Sequence, residues 1–127
     1  MNETTGTSSA TDLDALVPAW LSLPEVGERL RLPVNRVRQV VAEHRLVAVR
    51  RGENNALYVP ADFVPADGEP LKGLHGLLNV MYDNKYSDVE IVRWLYTADD
   101  SLPGTPAQAL LDDRRAEVTR RAQALAF

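Results

Sequence analysis

The sequence of 127 residues contains no cysteine, which excludes disulfide bonds, thiolate metal sites and cysteine nucleophiles. Its two histidines have no further metal ligands at short spacing, so we expect neither a metal nor a cofactor. No apolar run approaches the roughly 20 residues of a membrane span. The N-terminal residues have neither the basic nor the apolar segment of a signal peptide. We therefore expect a cytoplasmic protein without membrane insertion.

Signatures of common enzymes are also missing. The sequence has no serine–histidine–aspartate order, no phosphate-binding loop and no dinucleotide fingerprint. Gly73 and Gly76 stand inside a leucine-rich helical pattern rather than in a phosphate loop. The acidic pairs at 99–100 and 112–113 fit solvated helix ends. The sequence thus argues against an enzyme.

Positive charge is present but concentrated in one segment. The net charge of −4 argues by itself against a nucleic-acid partner. Residues 29–51, however, hold seven arginines against the single acid Glu43, and so half of the 14 basic residues. Because a phosphate backbone meets local charge, this segment is a candidate surface for double-stranded DNA.

Two short helices are predicted at this segment. Ser22 and Glu25 have the spacing of a capping box, which predicts a helix over about 23–30. Pro33 interrupts the pattern, because proline disfavours helical geometry in the residue before it. A second helix over about 34–43 has valines on one face and polar side chains on the other. Two helices joined by so few residues predict a helix-turn-helix.

A wing is predicted directly after the second helix. Strand-forming residues at 46–50 and 56–59 flank a polar turn at 52–55. In a winged helix-turn-helix the second helix enters the major groove, where polar side chains read base edges. The candidate DNA-binding residues are Asn35, Arg36, Arg38, Gln39, Arg45, Arg50 and Arg51.

These arginines are expected to act in different ways. Arg36 and Arg38 read bases from the helix, and Arg50 and Arg51 reach phosphates or the minor groove from the wing. Arg45 contacts phosphates or pairs within the protein. The alternative interpretation is a solvated basic face on an ordinary helical hairpin.

The predicted fold is mainly α and has three parts. Residues 1–12 form a disordered tail, residues 13–65 a winged helix-turn-helix with a short two-stranded wing, and residues 66–127 a helical domain. A winged motif of about 40 residues buries too little apolar surface to stand alone. We therefore expect the C-terminal helices to complete its core.

Three C-terminal helices are expected. One is amphipathic from Leu71 to Met81, a second opens at the Ser87 capping box, and a third follows Thr105. The expected buried residues of the third helix are Leu110, Leu111, Val118 and Leu125.

Four segments carry a family resemblance, namely LPEVGERLRLPVNRVRQVVAEHRLVAVRRGENNALYVP (23–60), its part HRLVAVRR (44–51), DVEIVRWLYTADDSL (88–102) and VTRRAQALAF (118–127). They resemble the actinobacterial winged helix-turn-helix DNA-binding proteins that the Ser/Thr kinase PknL phosphorylates. The resemblance implies a transcriptional regulator in which a kinase modifies the N-terminal tail and weakens DNA binding. Here the candidate acceptors are Thr4, Thr5, Thr7 and Thr11.

The acceptor threonine of that family lies in a tail that contains arginine. In this chain no basic residue precedes Arg29, so the resemblance does not assign one threonine.

A second, looser resemblance concerns the C-terminal part. Arg93-Trp94-Leu95 before Gly104-Thr105-Pro106 looks like the toxin-binding domain of certain antitoxins. The alternative function is therefore an antitoxin-like or adaptor protein whose C-terminal helices bind a protein partner. The sequence leaves open the operator and whether the protein acts as a homodimer.

Overall fold

The computed structural model describes residues 13–98 and 104–125. The predicted tail, with Thr4, Thr5, Thr7 and Thr11, lies outside them. A single helical turn over 13–16 comes first. The further elements are β1 (Trp20–Ser22), α1 (Leu23–Leu30), α2 (Val34–Ala42), β2 (Val49–Arg51), β3 (Ala56–Pro60), a 3-10 turn (Ala61–Phe63), α3 (Leu74–Asp83), α4 (Asp88–Leu95), α5 (Pro106–Leu111) and α6 (Arg115–Ala124).

The capping box that predicts α1 is confirmed. The Glu25 backbone N–H donates to Ser22 Oγ at 3.3 Å, and the Ser22 N–H donates to Glu25 Oε1 at 2.7 Å. These hydrogen bonds hold the pKa of Glu25 below its usual value. The helix ends at Leu30 because Arg31 adopts a left-handed backbone with φ 61°. The second helix of the motif begins at Val34, after three intervening residues.

The turn between α1 and α2 depends on a close approach at Gly27. The Leu32 N–H donates to the Gly27 carbonyl at 2.9 Å. A Cβ at Gly27 would lie 2.6 Å from the Leu32 carbonyl oxygen and 3.5 Å from Val37 Cγ2. Val37 is the fully buried residue of α2. The absence of a side chain at Gly27 therefore lets the two helices cross.

The wing is confirmed, and a third strand joins it. β3 lies in the middle of an antiparallel sheet in the order β1-β3-β2, with Leu21 opposite Val59 and Val49 opposite Tyr58. The sequence does not predict β1, because a strand of three residues that ends at the helix cap Ser22 is too short to show alternation. β2 is shorter than predicted, since residues 46–48 are buried in irregular backbone.

The expected third C-terminal helix is two helices. α5 ends where Asp113 turns to φ 64°, and the Arg114 N–H donates to the Ala109 carbonyl at 2.8 Å. This bond closes the helix end before α6 starts. The expectation that Leu111 is buried is wrong, because Leu111 is 41% exposed. Leu71 precedes α3 rather than belonging to it.

One continuous core joins the two predicted domains. Buried residues from the helix-turn-helix, the sheet and all four C-terminal helices belong to a single cluster. Polar contacts tie the connecting segment to both sides. Arg29 Nη1 donates to the Val64 carbonyl at 2.7 Å, and the Tyr96 hydroxyl donates to Asp62 Oδ2 at 2.8 Å. The C-terminal helices thus complete the core of the winged motif. Within the described ranges, no helix is long and apolar enough to cross a bilayer.

We expect Gly27→Ala to destabilise the fold by about 1–3 kcal/mol, because the added methyl group forces the Leu32 carbonyl to move. Urea denaturation followed by circular dichroism measures this change. Gly76→Ala is the control, since a Cβ at that position in α3 has no neighbour within 4 Å. Alanine there is expected to be neutral, or to stabilise by up to about 1 kcal/mol. Equal midpoints for the two variants would show that the crossing is not tight.

Candidate nucleic-acid interface

The solvent face of α2 carries the four polar residues predicted for it. Asn35, Arg36, Arg38 and Gln39 are all exposed. At about 100° per residue, Asn35 and Gln39 lie in the middle of this face. Arg38 lies on one edge and Arg36 on the other, about 160° away around the helix axis. The two arginines therefore point toward different neighbours.

Arg38 and Arg50 line the same cleft. It opens between the start of α1, the start of α2 and the wing, and the other residues lining it are Ser22, Leu23, Pro24, Val34, Ala56 and Leu57. Among the residues that the structure describes, no carboxylate belongs to this lining. Arg50 Nη1 donates to the Asn55 carbonyl at 3.0 Å across the wing turn. The structure thus brings a helix arginine and a wing arginine together.

Arg36 and Arg38 are not neutralised locally. Neither forms a salt bridge or a side-chain hydrogen bond with another residue in the part of the chain described. Pro33 is the N-cap of α2 and provides no side-chain hydrogen bond, so within the described ranges the N–H groups of the first turn have no capping side chain. Both features favour a negatively charged ligand on this side of the protein.

Arg51 has a different environment from Arg50. Successive strand residues point to opposite faces, and Arg51 Nε donates to Asp14 Oδ1 at 2.8 Å. The guanidinium carbon lies 4.4 Å from the centre of the Trp20 ring and 5.3 Å from that of Tyr58. The Arg51 side chain is only 22% exposed. The structure therefore places Arg51 against the N-terminal turn, away from Arg50.

Glu43, the one acid of the segment 29–51, contacts two of the predicted residues. Its Oε1 accepts from Arg45 Nε at 3.2 Å, and its Oε2 accepts from Gln39 Nε2 at 3.2 Å. The side chains of Arg45 and Glu43 are about half exposed, so this ion pair is weak. Arg45 thus pairs within the protein through a solvent-exposed contact, which is one of the two roles expected for it.

Sequence reasoning missed a contact between the end of α2 and α3. His44 follows α2 with φ 61°, and its ring stacks on Tyr82 with centroids 3.9 Å apart and planes 19° apart. His75 Nδ1 lies 2.9 Å from the His44 carbonyl oxygen. The Tyr82 hydroxyl donates to Asp88. Burial and this hydrogen bond raise the pKa of Tyr82 above its usual value. His75 and Tyr82 follow His44 by 31 and 38 residues, so no local pattern in the sequence predicts the contact.

The two wing arginines are expected to differ in what they contribute to stability. Arg51→Ala removes the cation–π contacts and the pair with Asp14, and we expect a loss of about 1–2 kcal/mol in the free energy of unfolding. Arg50→Ala removes one exposed hydrogen bond and is expected to change stability by less than about 0.5 kcal/mol. Thermal denaturation of both variants beside the wild type measures the difference. An Arg51→Ala variant as stable as Arg50→Ala would contradict the structural role of Arg51.

Two family models match the chain. The model described as "DNA-binding protein Rv2175c, wHTH domain" covers residues 9–64, and "Rv2175c C-terminal domain of unknown function" covers residues 71–126. The chain is 41% identical to the DNA-binding protein Rv2175c of Mycobacterium tuberculosis, over 91% of this chain and 85% of that protein. It is also similar to the NMR structure of Rv2175c, with a TM-score of 0.78 at 39% identity, over 86% of this chain and 82% of that one. The chain therefore belongs to the Rv2175c family of winged helix-turn-helix DNA-binding proteins.

Proposed function

We propose that this protein is a transcriptional regulator that reads double-stranded DNA with α2 and grips the backbone with its wing. The observation that carries the proposal is the cleft shared by Arg38 and Arg50, whose described lining residues include no carboxylate. The cleft lies next to the exposed polar face of α2. This function needs no catalytic step and no cofactor. It also places the protein in the bacterial cytoplasm, where the chromosome lies.

Base reading is assigned to the centre and one edge of the α2 face. Arginine pairs with guanine O6 and N7, and amides pair with adenine N6 and N7, in the major groove. Asn35, Arg38 and Gln39 have these side chains on one exposed arc. Arg36 stands on the opposite edge, so we assign it to the phosphates that border the groove. We therefore propose two distinct roles for Arg36 and Arg38, where the sequence alone predicts base reading by both.

The remaining arginines are assigned by their present partners. Arg50 lines the cleft and donates to a backbone carbonyl, which leaves its other N–H groups for a phosphate or the minor groove. Arg45 exchanges its exposed pair with Glu43 for a phosphate. Arg51 supports the wing from behind through Asp14, Trp20 and Tyr58.

DNA binding by Arg38→Ala and Arg36→Ala is expected to separate these roles. The test compares a duplex selected by the wild type from a randomised pool with a scrambled duplex, at two salt concentrations. Arg38→Ala should lose about 1–3 kcal/mol on the selected duplex and far less on the scrambled one. Arg36→Ala should weaken binding to both duplexes equally. It should also reduce the slope of log affinity against log salt concentration by about one, as expected for the loss of one phosphate contact.

Arg120→Ala, at an exposed position of α6, is the control and should bind both duplexes as the wild type does. Absence of wild-type binding even in low salt would overturn the proposed function.

We also propose that a Ser/Thr kinase regulates this surface through the tail. Thr4, Thr5, Thr7 and Thr11 precede the turn over 13–16, which the Asp14–Arg51 pair fixes beside the wing. Each phosphate adds about −1.5 to −2 charges. A chain tethered at this point competes at high effective concentration with DNA for the arginines of 29–51.

Replacing the four threonines with glutamate is expected to weaken DNA binding modestly, and replacing them with glutamine is the uncharged control. The loss should shrink as salt rises, because the competition is electrostatic and the Debye length falls below about 8 Å above physiological ionic strength. Fluorescence anisotropy at several salt concentrations gives both affinities. Kinase-treated protein that carries phosphate in residues 4–11 and still binds as tightly as untreated protein in low salt would disprove this regulation.

A further inference from the structure

The two histidines of the chain meet at the junction between α2 and the C-terminal helices. His44 lies two residues after the end of α2, and His75 lies in the first turn of α3. Together with Tyr82 they form a contact that we call the junction cluster. Each of the three makes a specific contact across the junction, and the DNA-binding assignments above use none of them.

The backbone at His44 is that of a tightly closed helix end. The His44 N–H donates to the Val41 carbonyl at 3.0 Å and the Arg45 N–H to the Val40 carbonyl at 3.1 Å. This Schellman pattern places its left-handed residue at the position where glycine is usual. Lys85 and Asp113 hold the same position after α3 and α5, but their side chains are exposed. The His44 ring is instead half-buried against Tyr82.

The C-terminal helices hold this helix end at two points. A carbonyl oxygen only accepts hydrogen bonds, so His75 Nδ1 carries the hydrogen and donates to the His44 carbonyl. Tyr82 supplies the ring surface on which His44 stacks, and its hydroxyl also donates to Asp88 at the start of α4. Both contacts therefore join the end of α2 to α3.

Apart from the crossing with α1 at Val37, packing along α2 is less restrictive. Val37 is fully buried, whereas Val34, Val40 and Val41 are only partly buried against the core. Without the junction cluster, α2 is free to rotate about its own axis at the Val37 contact. A rotation of about 10° displaces a side-chain end about 6 Å from the axis by about 1 Å, enough to lengthen both bonds of a bidentate contact between Arg38 and a base.

We propose that His44, Tyr82 and His75 are positioning residues for sequence-specific DNA recognition. Through them the C-terminal helices set the angle at which Asn35, Arg38 and Gln39 meet the base edges. This inference rests on the proposed reading of bases by α2. Loss of the junction cluster therefore lowers discrimination between sequences, while phosphate contacts, which tolerate small shifts, keep the non-specific affinity.

The test measures the ratio of dissociation constants for the selected and the scrambled duplex, together with the thermal midpoint of each variant. His44→Gly removes the ring and accommodates the positive φ without strain. Tyr82→Leu keeps an apolar side chain without the aromatic face. Both should lower the specificity ratio by about threefold to tenfold with an unchanged salt dependence, as expected for the loss of one aromatic pair.

Two variants serve as matched controls. Tyr82→Phe keeps the stacking surface and should keep the wild-type ratio. Asp113→Gly makes the same kind of backbone replacement, at φ 64° after α5, and should also leave the ratio unchanged. Amide NMR shifts of residues 35–39 should move in His44→Gly and Tyr82→Leu but not in Asp113→Gly.

Arg38→Ala separates the two hypotheses. If it lowers the ratio while a folded His44→Gly keeps the wild-type ratio, the positioning inference is wrong. An equal loss of affinity for both duplexes in His44→Gly would also overturn it, because the cluster would then only stabilise the fold. If Arg38→Ala itself leaves the ratio unchanged, the proposed reading of bases fails instead. Should Tyr82→Leu fail to fold, His44→Gly decides the question.

Discussion

Gly27 lies where α1 passes against the carbonyl oxygen of Leu32, at a distance that leaves no room for a side chain. That crossing sets the direction of α2 relative to α1, and Val37 then fills the space beneath it. The exposed arc of α2, the cleft that it shares with the wing and the junction with α3 all follow from this placement. A small change at one buried backbone position therefore acts on every surface to which α2 contributes.

The distribution of charge shows why net charge says little about this protein. An acidic chain presents an arginine surface because its acids lie elsewhere or are engaged locally. Asp14 and Glu43 are informative, since each holds one arginine of the basic segment. Adjacent arginines on the wing thereby gain separate environments, one open to a ligand and one packed between aromatic rings. Strand geometry, rather than sequence distance, decides which is which.

Sequence patterns predicted the parts of the fold that depend on near neighbours. The capping boxes at Ser22 and Ser87 are confirmed, as are the short turn before α2 and the wing. The strand β1 was missed because it depends on pairing with β3, which lies far along the chain. The break before α6 was missed because it depends on the left-handed backbone of Asp113, and an aspartate at that position is also compatible with a continuous helix. For the candidate site, the arginines were visible, but the partners of Arg51 and His44 were not. Those contacts join residues 37 and 38 positions apart, and only the folded chain brings them together.

The continuous core has a consequence for how such a protein changes over evolution. A winged motif that shares its hydrophobic core with the following helices cannot be exchanged between proteins as an independent domain. Recombination within the connecting segment would separate Phe63 and Val64 from the helices that cover them. Under the proposed reading of bases, new sequence preferences arise by substitution on the exposed arc of α2, with both halves of the chain inherited together.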